Sequence, residues 1–214
     1  MDKRTKEIVI ATIAVGAAGV SLYITFAGRV QKIDAGPYEA LGAVTAEETA
    51  KLLGNKGQVL VMVADTGAFK NPSVEAELSA FQQTLKRQRE MSVITEKVPA
   101  TPMQMMATGG GVTTDQLFKA VESHPSLAGL VLFLGFPQLS DSELARMKKS
   151  GVKTVVASSL RPGYERLMAE QVLQVAIVPR LEPPPANAPT PRTVRERFDQ
   201  DFSIITAAVA AQLR

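Results

Sequence analysis

The sequence predicts an α/β fold: a parallel five-stranded sheet covered by helices on both faces, carried behind a single N-terminal transmembrane helix. Three observations predict it. An uncharged apolar run lies near the start of the chain, short strand-length apolar runs then alternate with amphipathic stretches, and helix-capping signals open most of those stretches. Length agrees, because 214 residues less an anchor and its linker leave roughly 170, one ordinary domain.

From Ile8 to Ala27 no residue is charged, and at about 1.5 Å per residue these 20 residues match the bilayer core of about 30 Å. A transmembrane helix is expected over 8–28. Lys3, Arg4 and Lys6 precede it and Arg29 and Lys32 follow, so residues 1–7 are expected in the cytoplasm and the body outside it. This places a single-pass protein in the inner (cytoplasmic) membrane. Tyr23 and Phe26 suit the far interface. A signal peptide cut near Ala17 or Ala18 is the alternative, but the apolar run continues well past that point. The pairs Thr12/Gly16, Ala14/Ala18 and Ala17/Ser21 would let a second helix approach closely, or arise by chance in an alanine-rich span.

Residues 29–56 read as a stalk with Gly36-Pro37 and a short helix from Thr45 to Leu53, opened by a Thr45-x-x-Glu48 capping box and closed at Gly54. The main domain spans 57–181. Gln58–Ala64 is an almost continuous apolar run, as in a central parallel strand buried on both faces. Asn71-Pro72 then caps a helix with Val74, Leu78, Phe81 and Leu85 at helical spacing. Met91–Val98 is the second strand, and Thr113-x-x-Gln116 opens a helix with Leu117, Ala120 and Val121 inward. Leu127–Gly135 is the third strand, followed by a Ser140-x-x-Glu143 box and a helix ending at Gly151. Thr154–Ala157, a short helix over Tyr164–Ala169 and Leu173–Val178 complete the alternation. Such alternation implies right-handed crossovers and a Rossmann-like sheet of flavodoxin-like order 2-1-3-4-5. Residues 182–192 form a proline-rich extended strap, and 193–214 a C-terminal amphipathic helix with Val194, Phe198, Phe202, Ile205 and Val209 on one stripe.

Composition narrows the function. The formal charge is only +3 and the basic residues are interspersed with acidic ones, which gives nucleic-acid binding no support. There is no cysteine, so disulfides and thiolate metal sites are excluded. His124 is the only histidine, and it precedes the third strand while Ser158 and Ser159 follow the fourth, so a Ser-His pair is excluded by topology. No carboxylate spacing singles out a metal site or an acid/base pair. A non-enzyme without cofactor or metal is expected.

The stretches VLVMVADTGAFKNPSVEAEL and LAGLVLFLGFPQLSDSELARMKKSGVKTVVASS resemble the N-terminal lobe of type I periplasmic sugar-binding proteins and LacI-type ligand-binding domains. The resemblance covers about half the chain, from Val59 to Ser159. That family closes a second lobe over its ligand. The resemblance implies a half-lobe here, with any second wall supplied by another subunit.

In an open α/β sheet ligands sit beyond the carboxyl ends of the strands. That edge collects Asp65, Thr66, Gln138, Ser158, Ser159 and Arg180 as candidate ligand-binding residues, with Gly67 and Phe136 beside them. The alternative is that Asp65 merely caps a loop and Arg180 is solvated. Gly109-Gly110-Gly111 invites a phosphate-loop reading but lacks the lysine of that motif, so a flexible loop is expected. Met103, Met105 and Met106 suit copper(I) as ligands, or fill gaps and cover a greasy surface as ordinary side chains. The expected function is a membrane-anchored extracytoplasmic accessory subunit, non-catalytic, docking onto other protein subunits. The alternative is a receptor or sensor for a small sugar-like ligand, its cleft completed by dimerisation or a partner.

Overall fold

The computed structural model describes Gly16, Ser21, 33–65, Gly67, 71–99, Met103, Met106, Thr108, 110–158, 164–182, 184–185 and 187–212. The expected anchor, with Thr12, Ala14 and Ala18, falls outside the described residues except for Gly16 and Ser21, which are helical. Among the described residues no helix is long and apolar enough to cross a membrane. The α/β body begins at Ala35.

Its first element corrects the stalk. A single helix, α1, runs from Gly36 to Leu53, twice the expected length, with Pro37 in its first turn and Gly54 closing it at φ 64°. Thr45 is no cap: it is buried in mid-helix and its hydroxyl donates to Leu41 O at 2.7 Å, as Thr49 donates to Thr45 O. A capping box needs free N–H groups, and here Pro37 presets the helix upstream while Ala40, Leu41 and Val44 extend its buried side. This segment covers the sheet rather than spacing it from anything.

The five expected strands are present as β1 (Lys56–Asp65), β2 (Glu90–Pro99), β3 (Leu127–Leu132), β4 (Lys153–Ala157) and β5 (Val175–Pro179). They are parallel in the order 2-1-3-4-5. Helices α2 (Pro72–Leu85), α3 (Thr114–Glu122), α4 (Asp141–Ser150) and α5 (Tyr164–Ala169) connect them. The caps read from sequence form: Asn71 accepts from Ser73 N, and Thr113/Gln116 and Ser140/Glu143 close complete capping boxes. In β1, Val59, Val61 and Val63 face one core while Leu60 and Met62 face the other, which is why that run reads as continuously apolar.

The C-terminal helix is corrected as well. Helix α6 (Val194–Asp201) stops, Phe202–Thr206 forms β6 antiparallel to β5, and a short helix α7 (Ala207–Gln212) follows. The sheet is therefore mixed and six-stranded. The segment FSIIT is aromatic and β-branched, and the open edge of β5 offers it a ladder that an isolated helix cannot match. Its apolar residues serve both periods: Phe202 and Ile204 pack in one core and Ile205 in the other. Helices α1, α2 and α6 cover the first face, and α3, α4, α5 and α7 the second.

Candidate ligand-binding edge

The carboxyl ends of β1, β3, β4 and β5 lie along one edge of the sheet, because those strands are parallel. Asp65 ends β1, is exposed, and its Oδ1 accepts the Gly67 N–H at 3.0 Å. This is an Asx turn at a loop start, on a residue exposed to solvent. Thr66 and Ser159 lie outside the described residues. Ser158 is half-buried directly after β4, and its N–H donates to Ile177 O at 3.1 Å. Nearby, burial pushes the Tyr164 hydroxyl up to about 12, so it stays protonated at neutral pH.

Gln138 is exposed and lines a crevice of about 130 Å³ with Phe136, Leu144 and Arg166. Arg180 sits elsewhere. Its N–H donates to Asp201 O at 2.9 Å and its Nε to Phe202 O at 3.3 Å, so it pins the start of β6. Three strand spacings separate β1 from β5, about 14 Å at about 4.8 Å each, so Asp65 and Arg180 stand at opposite ends of that stretch of the edge.

The triple glycine also differs from expectation at Gly110 and Gly111. Gly135 N donates to Gly110 O at 3.2 Å and Val112 N to Gly135 O at 3.1 Å, a parallel bridge beyond the end of β3. A Cβ on Gly111 would stand 2.5 Å from Gly135 O, so glycine is required by close approach of two backbones. The Gly111 N–H is taken by Thr108 O at 3.3 Å. These amides brace the edge rather than cradle a phosphate. Met103 and Met106 are helical and exposed at 82% and 85%, so they fill no interior gap; Met105 lies outside the described residues. His124 precedes β3, its Nδ1 2.8 Å from Ala120 O, at the edge away from Ser158.

Sequence reasoning missed a groove of about 840 Å³ between the strap and α6. Arg180 lines it, and so do Glu182, Asn187, Thr190 and Arg192. The signal was an arginine at each end of the proline-rich run, but it has meaning only once the strap is known to fold back on α6. Gln200 Nε2 fixes that return by donating to Pro189 O at 2.8 Å, and Arg192 N donates to Glu196 Oε2 at 2.7 Å.

No family model matches the sequence, and no curated protein does. Solved structures do. The sugar-binding protein of a sugar ABC transporter from Bacillus halodurans superposes with a TM-score of 0.55 at 15% identity, covering 83% of this chain and 64% of that one. The fold is that of the type I periplasmic binding proteins. An ABC transporter solute-binding protein from Burkholderia graminis, in complex with D-arabinose, gives a TM-score of 0.51 at 15% identity over 79% of this chain and 60% of its own. A protein described as a LacI transcriptional regulator, from Bacteroides fragilis, gives 0.54 at 11% over 82% and 61%. The chain thus spans less than two thirds of the length of these periplasmic-binding-type proteins, and its described residues form part of that fold.

Proposed function

We propose that this chain is a ligand-binding module of the periplasmic-binding type, taking a small sugar-like molecule at the carboxyl edge of its sheet. The observation that carries the reading is the shared fold with proteins named for sugar binding, one of them holding D-arabinose. It favours a receptor-like role over the accessory-subunit expectation. Asp65 and Gln138 stand exposed at that edge with Ser158 half-buried beside it, and planar carboxylate and amide groups suit the vicinal hydroxyls of a sugar. A second wall, from another copy, a partner or a further lobe, closes the cleft. The uncharged run Ile8–Ala27 with its preceding lysines and arginine supports a membrane tether and an extracytoplasmic body.

The test is calorimetry of the purified protein against a panel of neutral pentoses and hexoses, D-arabinose included. Saturable binding that Asp65→Ala abolishes, with the fold intact by circular dichroism, is expected. A panel without any saturable ligand would sink the reading, and co-purification of a stoichiometric membrane subunit in that case would restore the accessory role. An alkaline phosphatase fusion after Arg214 should be active if the body is exported, whereas activity of a cytoplasmic reporter alone would reverse the topology.

A further inference from the structure

The strap groove, away from the Asp65 end of the sheet, has what a binding site needs. Its volume of about 840 Å³ falls within the usual range for small-molecule sites. Its walls are held in place: Gln200 ties the strap to α6, Ala188 N closes a turn on Pro185 O at 2.8 Å, and Arg180 anchors the near end to β6. Prolines restrict what remains, so little ordering is left to be done on binding.

The polar groups of this groove are not equally free. Glu196 is spent on the amides of Arg192 and Thr193, and Asp199 on the Arg195 guanidinium at 3.1 Å. The Arg192 guanidinium has no hydrogen bond or ion pair among the described residues, and the Arg180 guanidinium uses only its Nε. Glu182, Asn187 and Thr190 likewise keep their side chains unpaired among the described residues. The groove therefore offers two guanidinium groups to an anion and a small set of carboxylate, amide and hydroxyl groups to neutral polar atoms.

We propose that the groove between the proline-rich strap and α6 binds a small sugar acid, its carboxylate held by Arg180 and Arg192 and its hydroxyls by Glu182, Asn187 and Thr190. A guanidinium fork matches a carboxylate in two parallel hydrogen bonds. A single negative charge is favoured over a phosphate dianion, because the lining carries three acidic residues, Glu182, Glu196 and Asp199, against its two arginines. The flat apolar faces of Pro184 and Pro189 suit the C–H face of a sugar ring. The inference rests on the reading of the body as a ligand-binding module, but it places a separate site, for an anionic ligand, at the β5 end of the sheet.

The test is calorimetry of the full chain with D-glucuronate, with D-glucose and with glucose 6-phosphate, on wild type, Arg192→Gln and Asp65→Ala. Arg192 is exposed and its side chain supports no other element, so Arg192→Gln keeps the fold and its melting temperature serves as the check. Expected is saturable binding of glucuronate that weakens by about tenfold or more in Arg192→Gln, weakens with added salt, and is unchanged in Asp65→Ala. No glucuronate binding to wild type, equal binding to Arg192→Gln, or tighter binding of glucose 6-phosphate would each overturn it. Neutral-sugar binding that depends on Asp65, without any glucuronate binding that depends on Arg192, would leave the proposed function standing while this inference fails.

Discussion

At the crossing of α1 and α2 two backbones touch, whereas the strap is tied to α6 by a few polar bonds with open volume between them. The crossing is possible because position 42 is glycine: a Cβ there would stand 2.0 Å from Glu77 O. Close by, the Glu77 side chain is buried without a hydrogen-bond partner among the described residues, and burial pushes its carboxyl from the ordinary 4.5 up to about 8. The strap groove inverts each feature, with open volume, exposed guanidinium groups and spare donors. Tight packing leaves no room for a ligand and tolerates no added atom, while the groove has room for both.

The largest effect is expected from breaking the crossing. Gly42→Leu places a side chain where Glu77 O already is, and no rotamer relieves a clash that begins at Cβ, so the variant should not fold. Gly42→Ala should lose about 3 kcal/mol or more in urea unfolding. An alanine variant as stable as wild type would mean that the two helices do not meet there.

Glu77→Gln should stabilise the protein, and by an amount that grows with pH. Below about pH 4.5 the carboxyl is protonated in both folded and unfolded chains, so the substitution gains nothing from charge. Between about 4.5 and about 8 the unfolded chain releases a proton that the folded chain keeps, so wild-type stability falls as pH rises. Above about 8 the loss is complete, on the order of 5 kcal/mol from the shift. Melting curves of both proteins across that range give the difference directly, and a difference that does not change with pH would place Glu77 in water.

The same contrast divides α6 itself. Phe198 is 1% exposed, packs in the core shared with α1, and stacks on Phe202 at 5.6 Å between ring centroids. Phe198→Ala should cost about 3 kcal/mol, read by thermal or urea unfolding. Little loss would show that α6 is a docked accessory rather than part of the core.

How much of this is visible in the sequence follows from the range of the interaction. The caps at Asn71, Thr113 and Ser140 are local hydrogen bonds over two or three residues, and each forms where the spacing predicts. The buried parallel strands are legible too, since both faces of β1 are apolar. Failures occur where a distant element decides. Thr45-x-x-Glu48 has the capping spacing, but the helix starts at Gly36 because its upstream turns bury against the sheet and α2. Phe202–Thr206 keeps a helical stripe on paper, but the free edge of β5 claims it. The candidate site is less legible still: Asp65 and Arg180 stand at strand ends, yet only the sheet order shows that three strand spacings lie between them. Arg192 gains meaning only through the return of the strap.

The smallest stability change is expected at Gln200, two residues beyond Phe198. Its Nε2 bond to Pro189 O at 2.8 Å is exposed, and a neutral hydrogen bond that exchanges with water contributes about 1 kcal/mol net. Gln200→Ala should therefore lower stability by about that much and leave the sheet intact. Its effect on binding should be larger than its effect on folding. The strap keeps its proline stiffness and its bonds at Glu196, but without this tie its middle is no longer fixed against α6, and the groove must be ordered at the moment of binding. Calorimetry with glucuronate should show weaker affinity with a less favourable entropy, while the melting temperature stays close to wild type. If Gln200→Ala instead unfolds the protein as readily as Phe198→Ala, the strap is part of the core and the contrast between the two faces of α6 is wrong.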